Sequence, residues 1–305
     1  MFVVSEALAS SSGYAIRTET SFPSSMLSTN SAAISTMPPR IADPCDGPWE
    51  CRAAVRRRLG AGADLIKIYA DYRKRALRYP VPTYPRAPEI AHPPEQSGYE
   101  RSPSFPLFTR EEIEAIVDEA KRARCPVAAH CVTAEMAITA SDAGVTTVEH
   151  AYLKSDEMIA AFKRNGTIYV PTLTIIDAEM DTLPNGAQIL KEALEQVFKA
   201  FSAGVTIASG ADIGAVAHGQ NVREVELLLK SGIPLEDVLV AVTLTGWKAC
   251  GGEWAGRRFG GVRKGWAADF VALEGDLRED WKALRRVTHV VKDGEWIVRE
   301  GKLTR

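Results

Sequence analysis

The chain has 305 residues, 46% hydrophobic and 25% charged, with a formal net charge of −2. A chain of this size buries a substantial core, and its balance offers no basic surface for nucleic acid or an anionic membrane. No apolar stretch reaches the roughly 20 residues needed to cross a bilayer.

The opening MFVVSEALASSSG lacks the basic and long apolar regions of a signal peptide, and its FVVSEA segment reads as a strand. The Ser/Thr-rich segment Ser10 to Pro39 has no period and reads as a disordered or exposed loop. From residue 48 an Arg-rich helix, WECRAAVRRRLGAG, ends at glycines and leads into the strand LIKIY. Arg56, Arg57 and Arg58 fit a solvated helix face better than a phosphate site. Tyr79 to Pro106 is too broken by proline for helix or central strand, and it leaves from the end of LIKIY, where lids and specificity loops sit.

Thr109 with Glu112 predicts a capping box, and Ile113, Ile116, Val117 and Ala120 give the helix behind it one apolar stripe. Strand PVAAH, a helix ending at Gly144, strand VTTVEH, a helix ending at Gly166 and strand TIYVPTL follow. A longer helix from Gln188 to Ala203 leads to strand VTIASG, then to helices over Val222–Lys230 and Leu235–Cys250. Nearly all-apolar strands alternating with helices predict a parallel sheet covered by helices. After residue 253 the pattern becomes short strands, one pair joined by an Asp293-Gly294 hairpin turn.

Within the apolar LIKIY strand sits Lys67, an ammonium costly to bury without a partner or another chemical form. His130 and His150 close two strands, and Asp212 follows VTIASGA. In a parallel barrel, reactive residues stand at C-terminal strand ends, and imidazoles with a carboxylate suit a divalent metal such as zinc. Read as a free amine, Lys67 can add carbon dioxide to give an anionic carbamate, able to bridge two metals. Its plainer reading is a lysine paired with a carboxylate at the barrel mouth. Cys131 could act as a soft ligand but reads better as a small buried residue. Asp212 could simply cap the helix that follows, and Tyr152 and His218 could contact substrate or only order their loops. The five cysteines follow no CxxC or disulfide spacing, which fits a reduced, cytoplasmic setting.

The stretches GADLIKIYAD, PVAAHCVTAEMAITASDAGVTTVEHAYL, YVPTLT, ASGADIG, HGQNVREVELLLKSGIPLEDVLVAVTLTGWKACG and GGVRKGWAADFVALEGD, in this order, resemble the amidohydrolase superfamily, in its imidazolonepropionase-like and metal-dependent Xaa-Pro dipeptidase-like branch. The resemblance implies an α/β fold, a TIM-type (β/α)8 barrel with a composite β-sandwich and a binuclear metal centre. Lys67 matches the carboxylated bridging lysine, and His130 and His150 match the two histidines on one metal. Asp212 matches the aspartate that binds metal, orients the bridging hydroxide and shuttles its proton to the leaving amine. Tyr152 and His218 are carried as substrate contacts.

The chain departs from the family in having no H-x-H pair, its five histidines being His92, His130, His150, His218 and His289. About six of eight barrel strands are legible, and the N-terminal sandwich strands are missing, so an N-terminally truncated sequence is expected. The expected domains are an incomplete barrel over 1–253, equivalent to strands 3–8, and the C-terminal part of the sandwich over 254–305. The expected activity is metal-dependent hydrolysis of a C–N bond in an amide, dipeptide or cyclic amide, with two zinc ions in the full family and one or none here. The expected partner is a small-molecule substrate, with no nucleic acid and no membrane, and a homo-oligomer is left open. Two alternatives stand: a non-catalytic remnant with open strand edges, and a metal-free lyase or aldolase using Lys67 as a Schiff-base amine.

Overall fold

The computed structural model describes residues 2–11, 42–72, 83–84, 87–91, 105–181 and 185–304. Most of the Ser/Thr-rich segment Ser10 to Pro39, most of the Pro-rich stretch Tyr79 to Pro106, and His92 lie outside these described residues.

Six parallel strands form the main sheet: β1 (Ala7–Ala9), β2 (Ala42–Pro44), β3 (Ile66–Tyr69), β8 (Val127–Cys131), β9 (Thr147–His150) and β10 (Ile168–Val170). Their order across the sheet is β10-β9-β8-β3-β1-β2. Between β3 and β8 the chain makes two small antiparallel pairs, β4 (Asp71–Tyr72) with β7 (Phe105–Pro106) and β5 (Thr83–Tyr84) with β6 (Ala87–Ala91). This is the expected α/β architecture, an incomplete TIM-type barrel with a second, antiparallel sheet near the C-terminus.

The six strands are not quite those predicted. β1 begins only at Ala7, late in the expected FVVSEA strand. β2 was not foreseen: three residues inside an Asp/Pro/Gly-rich stretch carry no strand period. It is held on the sheet edge by register with β1, and Arg57 donates two bonds of 3.1 Å to the Asp43 carboxylate. Conversely, VTIASG touches the sheet through a single bridge, Tyr169 to Ile207, because Ser209 turns away to bond the Ala241 carbonyl of the next helix layer.

Alternation along the strands divides the two faces. In β3, Ile66 and Ile68 are buried against the helices while Lys67 and Tyr69 face the barrel interior. In β8, Val127, Ala129 and Cys131 are buried and Ala128 and His130 point the other way. Cys131 therefore belongs to the core rather than to the mouth.

The helices pack as their stripes require. Helix α1 (Gly47–Gly60) lies against α2 (Arg110–Arg122), whose Ile113, Ile116, Val117 and Ala120 are all buried. The Thr109–Glu112 capping box forms, and Gly144 and Gly166 end α3 (Ala134–Ala143) and α4 (Asp156–Asn165) in left-handed conformation. In the Arg56–Arg58 run, Arg56 and Arg57 are exposed on the helix face as expected, and all three are ion-paired: Arg56 bonds Glu119, Arg57 bonds Asp43, and the more covered Arg58 bonds Glu6 and Asp43. These pairs tie α1 to α2 and to the sheet edge.

The expected strand TIYVPTL stops at Val170, and Leu173–Glu179 turns into a short helix, α5. Beyond it come α6 (Gly186–Ser202), α7 (Asn221–Lys230), α8 (Leu235–Val242) and α9 (Leu244–Ala249). The antiparallel sheet, β11 (Phe270–Leu273), β12 (Val287–Lys292), β13 (Glu295–Arg299) and β14 (Lys302–Leu303), lies wholly within the 254–305 segment. Asp293 and Gly294 join β12 to β13 with φ of +52° and +84°, the two left-handed residues a type I′ turn needs. Arg285, between β11 and β12, donates to Glu226 of α7 at 2.5 Å.

Candidate functional site

Because the strands are parallel, their C-terminal ends open on one side, and the chemistry-bearing residues gather there. The register across β3, β8 and β9 sets Tyr69 beside His130, His130 beside Glu149, and Cys131 beside His150. The rings of His130 and His150 meet edge to face with centroids 4.4 Å apart. Lys67, one alternation below Tyr69, reaches into the same space, and its charge acts on both imidazoles.

Burial, reinforced by Lys67, drives the His130 imidazole down from its ordinary 6.5 to about 3. Burial pushes His150 well below its ordinary value as well, with His130 and Lys67 acting in the same sense. Both rings are therefore neutral at physiological pH, the state in which an imidazole binds metal.

Lys67 has a partner. Its Nζ donates to Glu149 Oε2, and the Thr147 hydroxyl donates to Glu149 Oε1. Glu149 was missed at the sequence level, although the signal was there: an acidic residue within an apolar strand, matching a basic one two strands away.

His150 is held from its other side. Its Nδ1 lies 2.7 Å from Thr172 Oγ1 and 3.1 Å from the Tyr152 hydroxyl. The Thr172 hydroxyl spends its proton on the Pro171 carbonyl at 2.8 Å, so its oxygen accepts from His150 Nδ1–H. That arrangement leaves Nε2 as the lone-pair atom of His150. Tyr152 bonds Thr172 Oγ1 at 2.8 Å, and burial pushes its phenol upward, with the carboxylates of Glu224, Asp212 and Glu179 acting alike.

Asp212 sits beyond Ile207 in an exposed loop, with φ +50°, within electrostatic reach of Tyr152. His218 is exposed farther along that loop. Among the described residues, no group of three His, Cys, Asp or Glu side chains is close enough to hold a metal ion. The structure thus brings Lys67, His130, His150 and Tyr152 together and leaves Asp212 and His218 more open.

Backbone strain marks the same rim. His150 (φ +70°), Ala151 (φ +48°), Thr172 (φ +48°) and Asp212 (φ +50°) all take left-handed conformations at or just past three consecutive strand ends. For a β-branched threonine this is costly, on the order of 1–3 kcal/mol, and such residues cluster at working sites.

Comparison with known proteins identifies relatives of the same fold. A Xaa-Pro dipeptidase crystallised with methionine bound in its active site superposes with a TM-score of 0.71 at 28% identity, covering 97% of this chain and 67% of that one. The crystal structure of Aspergillus niger ochratoxinase superposes with a TM-score of 0.74 at 26% identity, covering 98% of this chain and 66% of that one. In sequence, A. niger ochratoxinase is 29% identical over 266 residues, 82% of this chain and 49% of that enzyme. An uncharacterized Mycobacterium tuberculosis protein is 27% identical over 201 residues, 62% of this chain and 52% of that protein. The chain therefore spans about half the length of the curated relatives it matches. The model of the Amidohydrolase family matches residues 6–297, and the chain belongs to that family.

Proposed function

We propose that this chain carries the catalytic machinery of a metal-dependent amidohydrolase that cleaves a C–N bond in an amide, dipeptide or cyclic amide. The observation that carries the reading is the pair of neutral imidazoles, His130 and His150, in ring contact at the ends of adjacent parallel strands. Two imidazoles with unprotonated nitrogens suit a borderline-soft divalent ion such as zinc, so these two rings fit the metal that the family implies, as part of a ligand set that the described side chains do not complete. Lys67, His130, His150 and Asp212 are the proposed ligands. When bound, such an ion lowers the pKa of a water and polarises a carbonyl.

The chain's own residues do the rest. Asp212, at the open rim, takes the proton of the attacking water and passes it to the leaving amine, which needs a carboxylate able to reach both. Tyr152 and His218 are the proposed substrate contacts, Tyr152 from a fixed phenol and His218 from the exposed loop. Carboxylation of Lys67 would require its ammonium to lose one proton to solvent and the free amine to add carbon dioxide with loss of a second, giving an anionic carbamate and ending the ion pair with Glu149. Glu149 then relies on Thr147, whose hydroxyl already donates to it.

The names of the similar proteins, ochratoxinase and Xaa-Pro dipeptidase, support an amide or peptide substrate. The test is direct: load the purified chain with zinc, measure bound metal by mass spectrometry, and assay Xaa-Pro dipeptides and N-acyl amino acids. Bound zinc with chelator-sensitive hydrolysis is expected. Zinc-free protein that releases amine at the same rate would overturn the reading, and borohydride trapping at Lys67 would replace it with the Schiff-base alternative.

A further inference from the structure

The turn after β10 divides two tasks between two residues. Thr172 is the N-cap of α5, a position where a threonine oxygen ordinarily accepts from the helix's own N–H groups. Here, in left-handed conformation, it makes no side-chain capping bond, and its hydroxyl is engaged with Pro171 and His150. The donors it leaves behind are taken by Glu224, reaching over from α7. Glu224 Oε1 accepts from Leu173 N at 3.1 Å, and Oε2 accepts from Thr174 N at 2.8 Å and Thr174 Oγ1 at 2.7 Å. Glu224 is fully buried, at 0% exposure. Removing it would strand three buried donors beside a threonine already in a left-handed conformation.

The other side of the site offers a contrast. After β8, Asp71 accepts from Val132 N at 2.7 Å, Thr133 N at 2.8 Å and Thr133 Oγ1 at 2.7 Å. The same three-donor clamp holds the chain beyond His130, yet there Thr133 still caps its own helix, accepting from Met136 N at 3.3 Å. Only at the His150 side is the threonine diverted from its helix to an imidazole.

We infer that Glu224 is a positioning residue for His150: by capping α5 in place of Thr172, it frees the Thr172 hydroxyl to hold His150 in the Nδ1–H form. This rests on the reading of His150 as a metal ligand through Nε2. Outer partners of this kind commonly govern ligand tautomer and metal affinity.

The test compares the wild-type chain with Glu224→Leu, Glu224→Gln and Thr172→Val, each checked for native circular dichroism. Long-range proton–nitrogen spectra of the metal-free, histidine-labelled proteins read the tautomer of His150. Zinc affinity comes from competition with a chromophoric chelator. The wild type should show a single Nδ1–H form, whereas Glu224→Leu and Thr172→Val should both show mixed tautomers and bind zinc about 10–100-fold more weakly. Glu224→Gln keeps one acceptor oxygen and should recover most of both signals. If Glu224→Leu does not fold, Glu224→Gln and Thr172→Val decide by the same two readouts. A lowered unfolding midpoint with unchanged tautomer and affinity would reduce Glu224 to a helix cap and overturn the inference. Should the wild type bind no zinc, the metal reading falls, while the tautomer comparison still decides the role of Glu224.

Discussion

Lys67, His130, Glu149 and His150 stand on three hydrogen-bonded strands, each side chain meeting another across the ladder. Asp212 and His218 stand on an exposed loop beyond a segment that touches the sheet at one bridge. The first group is positioned by register, which a one-residue slip would destroy for every side chain at once. The second is positioned by loop backbone, which needs less packing and gives less constraint. The sheet therefore sets the two imidazoles by itself, while the proposed carboxylate, Asp212, is set by loop backbone.

This contrast can be broken most sharply at the strand-borne half. His150→Ala should reduce bound zinc to background in elemental analysis; full metal content in that variant would remove His150 from the ligand set. Asp212→Asn should leave much of the metal in place while turnover falls by roughly 10²–10⁴-fold, the range for losing a general acid–base. Equal loss of metal and turnover would instead place Asp212 with the strand residues.

The pH dependence of stability sharpens the comparison further. Burial pushes Glu224 up to about 7 from its ordinary 4.5, against its bonds from Thr174 and Leu173 and with a contribution from nearby Asp177. Between those values the native chain holds a proton that the unfolded chain has released. Its contribution is therefore complete below 4.5 and lost as pH rises towards 7, on the order of 3 kcal/mol in all. Glu224→Gln should flatten that difference when urea midpoints are compared across the range, and parallel curves for the two proteins would refute it.

Glu149→Gln removes the partner of a partly buried ammonium and should destabilise the fold by about 1–3 kcal/mol in denaturant titration. The smallest effect belongs to the loop. His218 is exposed, so His218→Ala should leave the unfolding midpoint within about 0.5 kcal/mol, and any change should appear in KM. A large stability loss there would mean that the loop is packed as tightly as the strands.

Much of this was legible beforehand for identifiable reasons. The apolar strands broken by Lys67 and ended by His130 and His150 announced a parallel sheet with polar residues at its mouth. Capping at Thr109, Gly144 and Gly166 and the Asp293-Gly294 turn are local chemistry, set by residues close in sequence. What escaped notice was pairing at a distance. The three-residue edge strand at Ala42–Pro44 has no period of its own and exists through β1 and Arg57. Glu224 lies one helical turn before the fully buried Leu227 and Leu228, a carboxylate on an apolar stripe. That placement marks it as buried but does not say what it holds.

The order of residues thus determined most of the strands and helices, which faces turn inward, and that imidazoles end adjacent strands, since these follow from spacing and nearby capping groups. Only the tertiary structure decided that Lys67 meets Glu149, that Thr172 serves His150 instead of its own helix, and that Glu224 takes over the vacated cap. Those contacts join residues 22 to 82 positions apart, and a one-dimensional pattern carries no distance between them.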